Sequence, residues 1–216
     1  KDPMQTQIYN NLLASSYELA DDLNVKLLLK LSPVIFFDRK RISTYLSSAP
    51  FTQLHKELST AHEVEDHKQF DALLQHLFNR VWLSERISPE ELSDLRAIIA
   101  DKTLPYPVSC QIISALFMGI QTMFDDEKVL LLCDIAASDK DEIRIRAFIA
   151  ILITLYLYKK RLNYYPAILN RLEALSERPD FVKEIRTIIL RFILSRETEK
   201  ITQKLQNEII PEMMKM

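Results

Sequence analysis

"RAFIAILITLYLYKKR", residues 146–161, is the stretch on which the fold turns. Between Arg146 and Lys159 lie twelve residues without a charge, Ala147 to Tyr158. A helix rises about 1.5 Å per residue, so the run spans roughly 18 Å. A bilayer core of about 30 Å takes about 20 apolar residues. The run is too short to cross it, and Arg144 and Arg146 precede it directly. On a helix its apolar residues fall on every side, with Ala147, Ile151 and Thr154 on one face and Phe148, Leu152 and Leu155 on another. A helix apolar all round is a buried helix. The stretch is therefore expected to be an inner rod in a pile of helices.

Composition points the same way. The 216 residues include one glycine, Gly119, where average usage of roughly 7% would give about fifteen. Glycine supplies positive φ and close backbone approach. Without it the phosphate loop, the dinucleotide-binding turn and the tight hairpin are not available. That removes the P-loop, the Rossmann turn and the nucleophile elbow together and argues against a β-rich fold, leaving an all-α chain with short connectors. Net charge is −2, so no global positive field is present to hold DNA or RNA by its phosphates. Cys110 and Cys133 both sit in apolar helical contexts and read as buried structural thiols, not a disulfide framework or zinc site. No cofactor is expected.

Helix punctuation recurs along the chain. "SPEEL" offers Ser88 as N-cap, Pro89 at the first helical position and Glu91 as its capping-box partner. "DKDEI" offers Asp139 as a cap with Glu142 three residues on, and Asp125, Asp126 and Glu127 suit the positive end of another helix. These signals predict about twelve helices, at 5–20, 22–31, 38–47, 50–60, 66–84, 89–101, 107–122, 126–137, 140–159, 164–176, 180–195 and 197–209. "SPVIFFD", 32–38, is the best candidate for a strand, but Pro33 and its helical neighbours favour a helix start or a buried connector.

Three segments repeat: "PYPVSCQIISALF", "KDEIRIRAFIAIL" and "RPDFVKEIRTIIL". Val108 aligns with Ile143, 35 residues on, and Ile143 with Val182, 39 residues on. The preceding helices also correspond, through "LRAIIADK", "LLLCDIAASDK" and "ILNRLEALSER". The unit resembles HEAT-like helical repeats over about residues 90–195. "DKDEIRIRAFIAIL" carries the family's acidic turn, aliphatic–Arg pair and small-apolar spacing, whereas the flanking copies have Ser109 and Lys183 at the arginine's place. The resemblance implies a right-handed α-α superhelix, irregular in its N-terminal part. Residues 1–3 read as the remnant of an expression tag, 4–88 as divergent repeats or a cap, and 89–210 as repeats with a terminal helix. "LTLYLYKKRLNYYPAILNRL" and the C-terminal segment are similar to large uncharacterised bacterial proteins in which such a region precedes tetratricopeptide repeats. With Ile210, Met213, Met214 and Met216 crowding the end, the chain is expected to be part of a longer protein.

Candidate chemistry is sparse. "HEVEDH", 62–67, holds two histidines five apart, about 500° around a helix, which spreads the rings away from a common metal. An acidic loop is expected there, and no metal site. "DRKR", 38–41, and "YKKRLNYY", 158–165, are the basic clusters. In the second, Lys159, Lys160, Arg161, Tyr164 and Tyr165 form the candidate interaction surface, since arginine and tyrosine are favoured at binding hot spots. The same residues also suit a helix C-terminus and its following turn. Trp82, at helical spacing with Phe78, is read as core. No nucleophile–base pair is legible. The leading expectation is a non-catalytic, cytoplasmic scaffold that binds a protein partner or other domains of its own chain, or a structural module of a larger helical-repeat protein. The alternative is a nucleic-acid-binding or DNA-glycosylase-like helical-repeat protein, which needs a basic groove.

Overall fold

The structure, a computed structural model, describes residues 3–31, 39, 42 and 49–204. Among them every regular element is helical. The nine α-helices are α1 (Pro3–Leu31), α2 (Phe51–Glu63), α3 (His67–Leu83), α4 (Pro89–Ala100), α5 (Tyr106–Thr122), α6 (Asp126–Ile135), α7 (Asp141–Tyr158), α8 (Pro166–Ser176) and α9 (Phe181–Lys204), with a 3-10 turn at Leu162–Tyr164. No helix among the described residues is long and apolar enough to cross a membrane.

Two pairs of expected helices are fused, which accounts for most of the difference from twelve. The helices expected at 5–20 and 22–31 are the single α1. Asp21 and Asp22, which look like a local break, instead turn inward to Arg161 and Arg86. The helices expected at 180–195 and 197–209 are continuous as α9 as far as Lys204. The helix expected at 38–47 and the "SPVIFFD" segment lie outside the described residues.

Local capping fixes the other boundaries. Ser88 accepts from the Glu91 amide while Glu91 accepts from the Ser88 amide, both halves of the capping box. Asp125 caps α6 by accepting from the amides of Glu127 and Lys128. Asp139 is not the cap of α7. The N-cap is Lys140, which makes no side-chain cap bond, because the helix starts one residue later than the acidic signal suggests. Arg144 fastens that turn, donating to the carbonyls of Ser138 and Asp139 at 3.1 and 3.3 Å and to the Asp141 carboxylate at 2.6 Å.

The chain divides into two compact units, residues 1–175 and 176–216. In the first, α2/α3, α4/α5 and α6/α7 are successive hairpins. Helices α3, α5 and α7 form one row, each packed on the next, and α2, α4 and α6 form a second. The contact of α3 with α5 is the most extensive and crosses residue 88, where a boundary was expected. The core between the rows includes Leu58, Leu77, Val81, Leu95, Ile112, Leu116, Leu132 and Phe148, all essentially inaccessible. Burying each such side chain contributes roughly 1.5–3 kcal/mol. Helix α7 buries Ile143, Ala147, Phe148, Ala150, Ile151 and Thr154 as expected of an inner rod. It is not covered all round: Tyr156 is 73% and Leu157 52% exposed. Trp82 is half-buried rather than core, set against Phe78 at 6.0 Å with the Arg39 guanidinium over its ring. The second unit is built on α9.

Candidate functional site: a groove between two stacked helices

Ion pairs link α4, α6 and α8. Asp134 on α6 accepts from Arg96 on α4 at 3.1 Å and from Arg171 on α8 at 2.8 Å. These three residues are 38 and 37 apart, close to the offsets of 35 and 39 between the aligned apolar segments. The pattern is one carboxylate shared between two arginines along a row of helices. The same spacing carried this signal in the sequence, where it went unread.

The single glycine serves close approach and not a turn. Gly119 lies within α5 against the C-terminal end of α3, and a Cβ there would come 3.1 Å from the Trp82 carbonyl oxygen and 3.3 Å from Lys128 Nζ. Lys128 is fully buried. Its ammonium donates to the carbonyls of Ser84 at 2.5 Å and Glu85 at 3.3 Å, just past the end of α3, and lies 3.9 Å from the Asp125 carboxylate. Asp125 also accepts from the Ile87 amide at 3.1 Å. Burial brings the Lys128 pKa down to about 8, with Asp125 and Glu85 pulling it back up. A lysine of depressed pKa has the character of a nucleophile. With no exposure at all, this one works as a C-terminal cap.

The candidate interaction residues divide. Arg161 is turned inward and makes a bidentate pair with Asp21 on α1, at 2.5 and 3.1 Å. The rings of Tyr17, Phe124 and Tyr158 surround its guanidinium, each at 4.8–4.9 Å. Burial works against its charge, while the hydrogen bond and attraction from Asp21 more than offset this and hold its pKa above the usual value. Tyr164 stacks on Tyr17 at 6.0 Å, and Tyr165 is buried against Phe124 at 5.0 Å. Burial pushes the Tyr165 phenol up to about 12. Arg161 and Tyr164 anchor α1 to the turn after α7 while Tyr165 packs on Phe124, leaving Lys159 and Lys160 exposed.

Between α5 and α7, on the α3/α5/α7 row, the packing leaves a groove of about 450 Å³. That lies in the size range of ligand clefts. Helix α5 presents Ile113, Ser114 and Phe117; α7 presents Glu142, Ile145, Arg146, Ile149 and Ala150. Each set follows helical spacing, so one face of each rod makes one wall. Arg146 donates to the Ser114 hydroxyl at 3.0 Å across the groove. Beneath it Cys110 is buried, and burial pushes its thiol pKa up, so it is a neutral, unreactive thiol. Cys133 is buried too, held up to about 12. The groove offers an apolar floor with one guanidinium and one carboxylate at its rim. None of the lining residues was read from the sequence as part of a binding site, because the cleft depends on the register of helices some thirty residues apart.

The histidines of "HEVEDH" sit at either end of the α2–α3 turn. His62 ends α2, His67 opens α3, and Asp66 caps α3 by accepting from the Gln69 amide at 3.0 Å. Among the described residues no group of three or more His, Cys, Asp or Glu side chains is gathered for a metal ion. His55 instead faces Asp101 at 2.7 Å. Comparison with protein-family models, curated proteins and solved structures finds no match to this chain.

Proposed function

We propose that this chain is a non-catalytic protein-binding scaffold, a HEAT-like superhelix of stacked hairpins, and that the α5–α7 groove takes an apolar anchor from a partner segment. The groove between neighbouring rods of one row carries this reading. Repeat stacks present such rows as extended binding surfaces. The Arg96–Asp134–Arg171 series at repeat spacing supports the repeat itself. Ile113, Phe117, Ile145 and Ile149 supply an apolar floor, and Arg146 a donor for a carboxylate or backbone carbonyl beside the anchor. Fold does not fix function, so the site has to carry the assignment.

The test is selection of peptides from a random display library on the immobilised chain. The expected winners share one large apolar residue next to an acidic one, and lose binding at least about tenfold to Phe117→Glu. Peptides indifferent to Phe117→Glu and to Arg146→Ala would overturn the groove assignment. Binding to single- or double-stranded DNA that weakens steeply with salt would favour the nucleic-acid alternative instead.

A further inference from the structure

We propose that the outward face of α1 joins two copies of this chain as an antiparallel helix pair about a two-fold axis. The inward face of α1 is occupied: Tyr17 stacks on Tyr164, Asp21 holds Arg161, and Glu18 and Asp22 meet Arg86 at 3.8 and 3.5 Å. The outward face carries Met4, Ile8, Leu12, Leu19 and Leu23, each 53–68% exposed, with exposed Ser15 in line. Their spacings are four, four, three, four and four. That series reads the same in both directions about a point between residues 13 and 14. In an antiparallel pair, Met4 of one copy therefore faces Leu23 of the other, Ile8 faces Leu19, and Leu12 lies over the small Ser15. A two-fold interface requires such self-complementarity, and steps of three and four residues keep the stripe along one face of the helix.

Charge allows the same pairing. Between Met4 and Asn24 the only charged residues of α1 are Glu18, Asp21 and Asp22, and each is paired with a cation of its own chain: Asp21 with Arg161, and the partly exposed Glu18 and Asp22 with Arg86. Two copies can meet there without setting like charges together. Exposed Lys26 and Lys30 lie beyond the palindrome, as do Leu27 and Leu31. The five stripe residues with Tyr9, more than half exposed, offer roughly 400 Å² of apolar surface per copy. A patch of that size marks an interface, and its flanking polar residues bring it toward the roughly 800 Å² per partner of a standard one.

Sedimentation of the full chain tests the pairing. The expected mass is twice the 25.3 kDa of one chain. Leu12→Glu and Leu19→Glu should each raise the dimer dissociation constant at least about tenfold with unchanged circular dichroism. A mixture of Leu12→Cys and Ser15→Cys chains should cross-link on oxidation, with the buried Cys110 and Cys133 out of reach. A monomer at about 100 µM, a dimer indifferent to both glutamates, or cross-linking of Ser15→Cys chains to one another in preference to Leu12→Cys would each overturn the proposal.

Discussion

Gly119 shows how one residue constrains three helices. Its missing side chain lets α5 approach the end of α3 and leaves room for the Lys128 ammonium. Gly119→Ala is expected to destabilise the chain by about 2 kcal/mol in urea unfolding, since a backbone carbonyl cannot swing aside as a flexible side chain could. Lys128→Met removes the charge but orphans the carbonyls of Ser84 and Glu85. Its effect depends on pH. The folded pKa is about 8 and the unfolded value 10.5. Between them the unfolded chain binds more protons, so Lys128 adds stability as pH rises through that window and loses it as pH falls through 8. Cys133, held up to about 12, has the opposite slope but is present in both proteins and cancels in their difference. The stability of wild type relative to Lys128→Met should therefore grow from pH 8 to 10; a flat difference would contradict the buried cap. Among the described residues Glu65 is the non-glycine residue with positive φ, 57°, in the turn between α2 and α3. Glu65→Gly should raise stability by about 0.5 kcal/mol, the left-handed strain removed being larger than the entropy lost.

At the level of elements, much of the chain was legible because its signals are local. The ends of α2 to α7 fall within about three residues of expectation, since Ser88, Asp125 and the prolines act on the turn in which they sit. Helix α1 was misread because a local pair of acids was outweighed by distant arginines. Asp21 and Arg161 are 140 residues apart, a partnership no window of sequence contains. The flank of α7 was misread for a related reason: apolar residues on every side of a rod do not say which neighbour is present. The Arg161 anchor makes its own prediction. Arg161→Ala should release α1, so that its amides exchange hydrogen far faster while those of α3, α5 and α7 stay protected. Arg161→Lys should behave nearly the same, because an ammonium cannot make the bidentate pair or lie flat among three rings. Equal exchange of α1 in wild type and Arg161→Ala would show that other contacts hold the helix.

Across residues 1–175, two rows of rods leave a groove that lies between elements and not on any one of them. The scarcity of glycine and the twelve-residue apolar run announced the rods. The α2/α3 hairpin, which shows no repeat in its sequence, nonetheless packs on α4/α5 as α4/α5 packs on α6/α7. Packing geometry tolerates drift in sequence so long as the apolar faces persist. The groove follows from that stacking, and its occupancy in the cell is the decisive observation. A photo-reactive amino acid placed at the exposed position Ile145, in the full chain in its native host, should yield a discrete protein adduct that disappears when Phe117 is changed to Glu. Irradiation that gives no protein adduct, or one unaffected by Phe117→Glu, would contradict a protein-binding groove between α5 and α7.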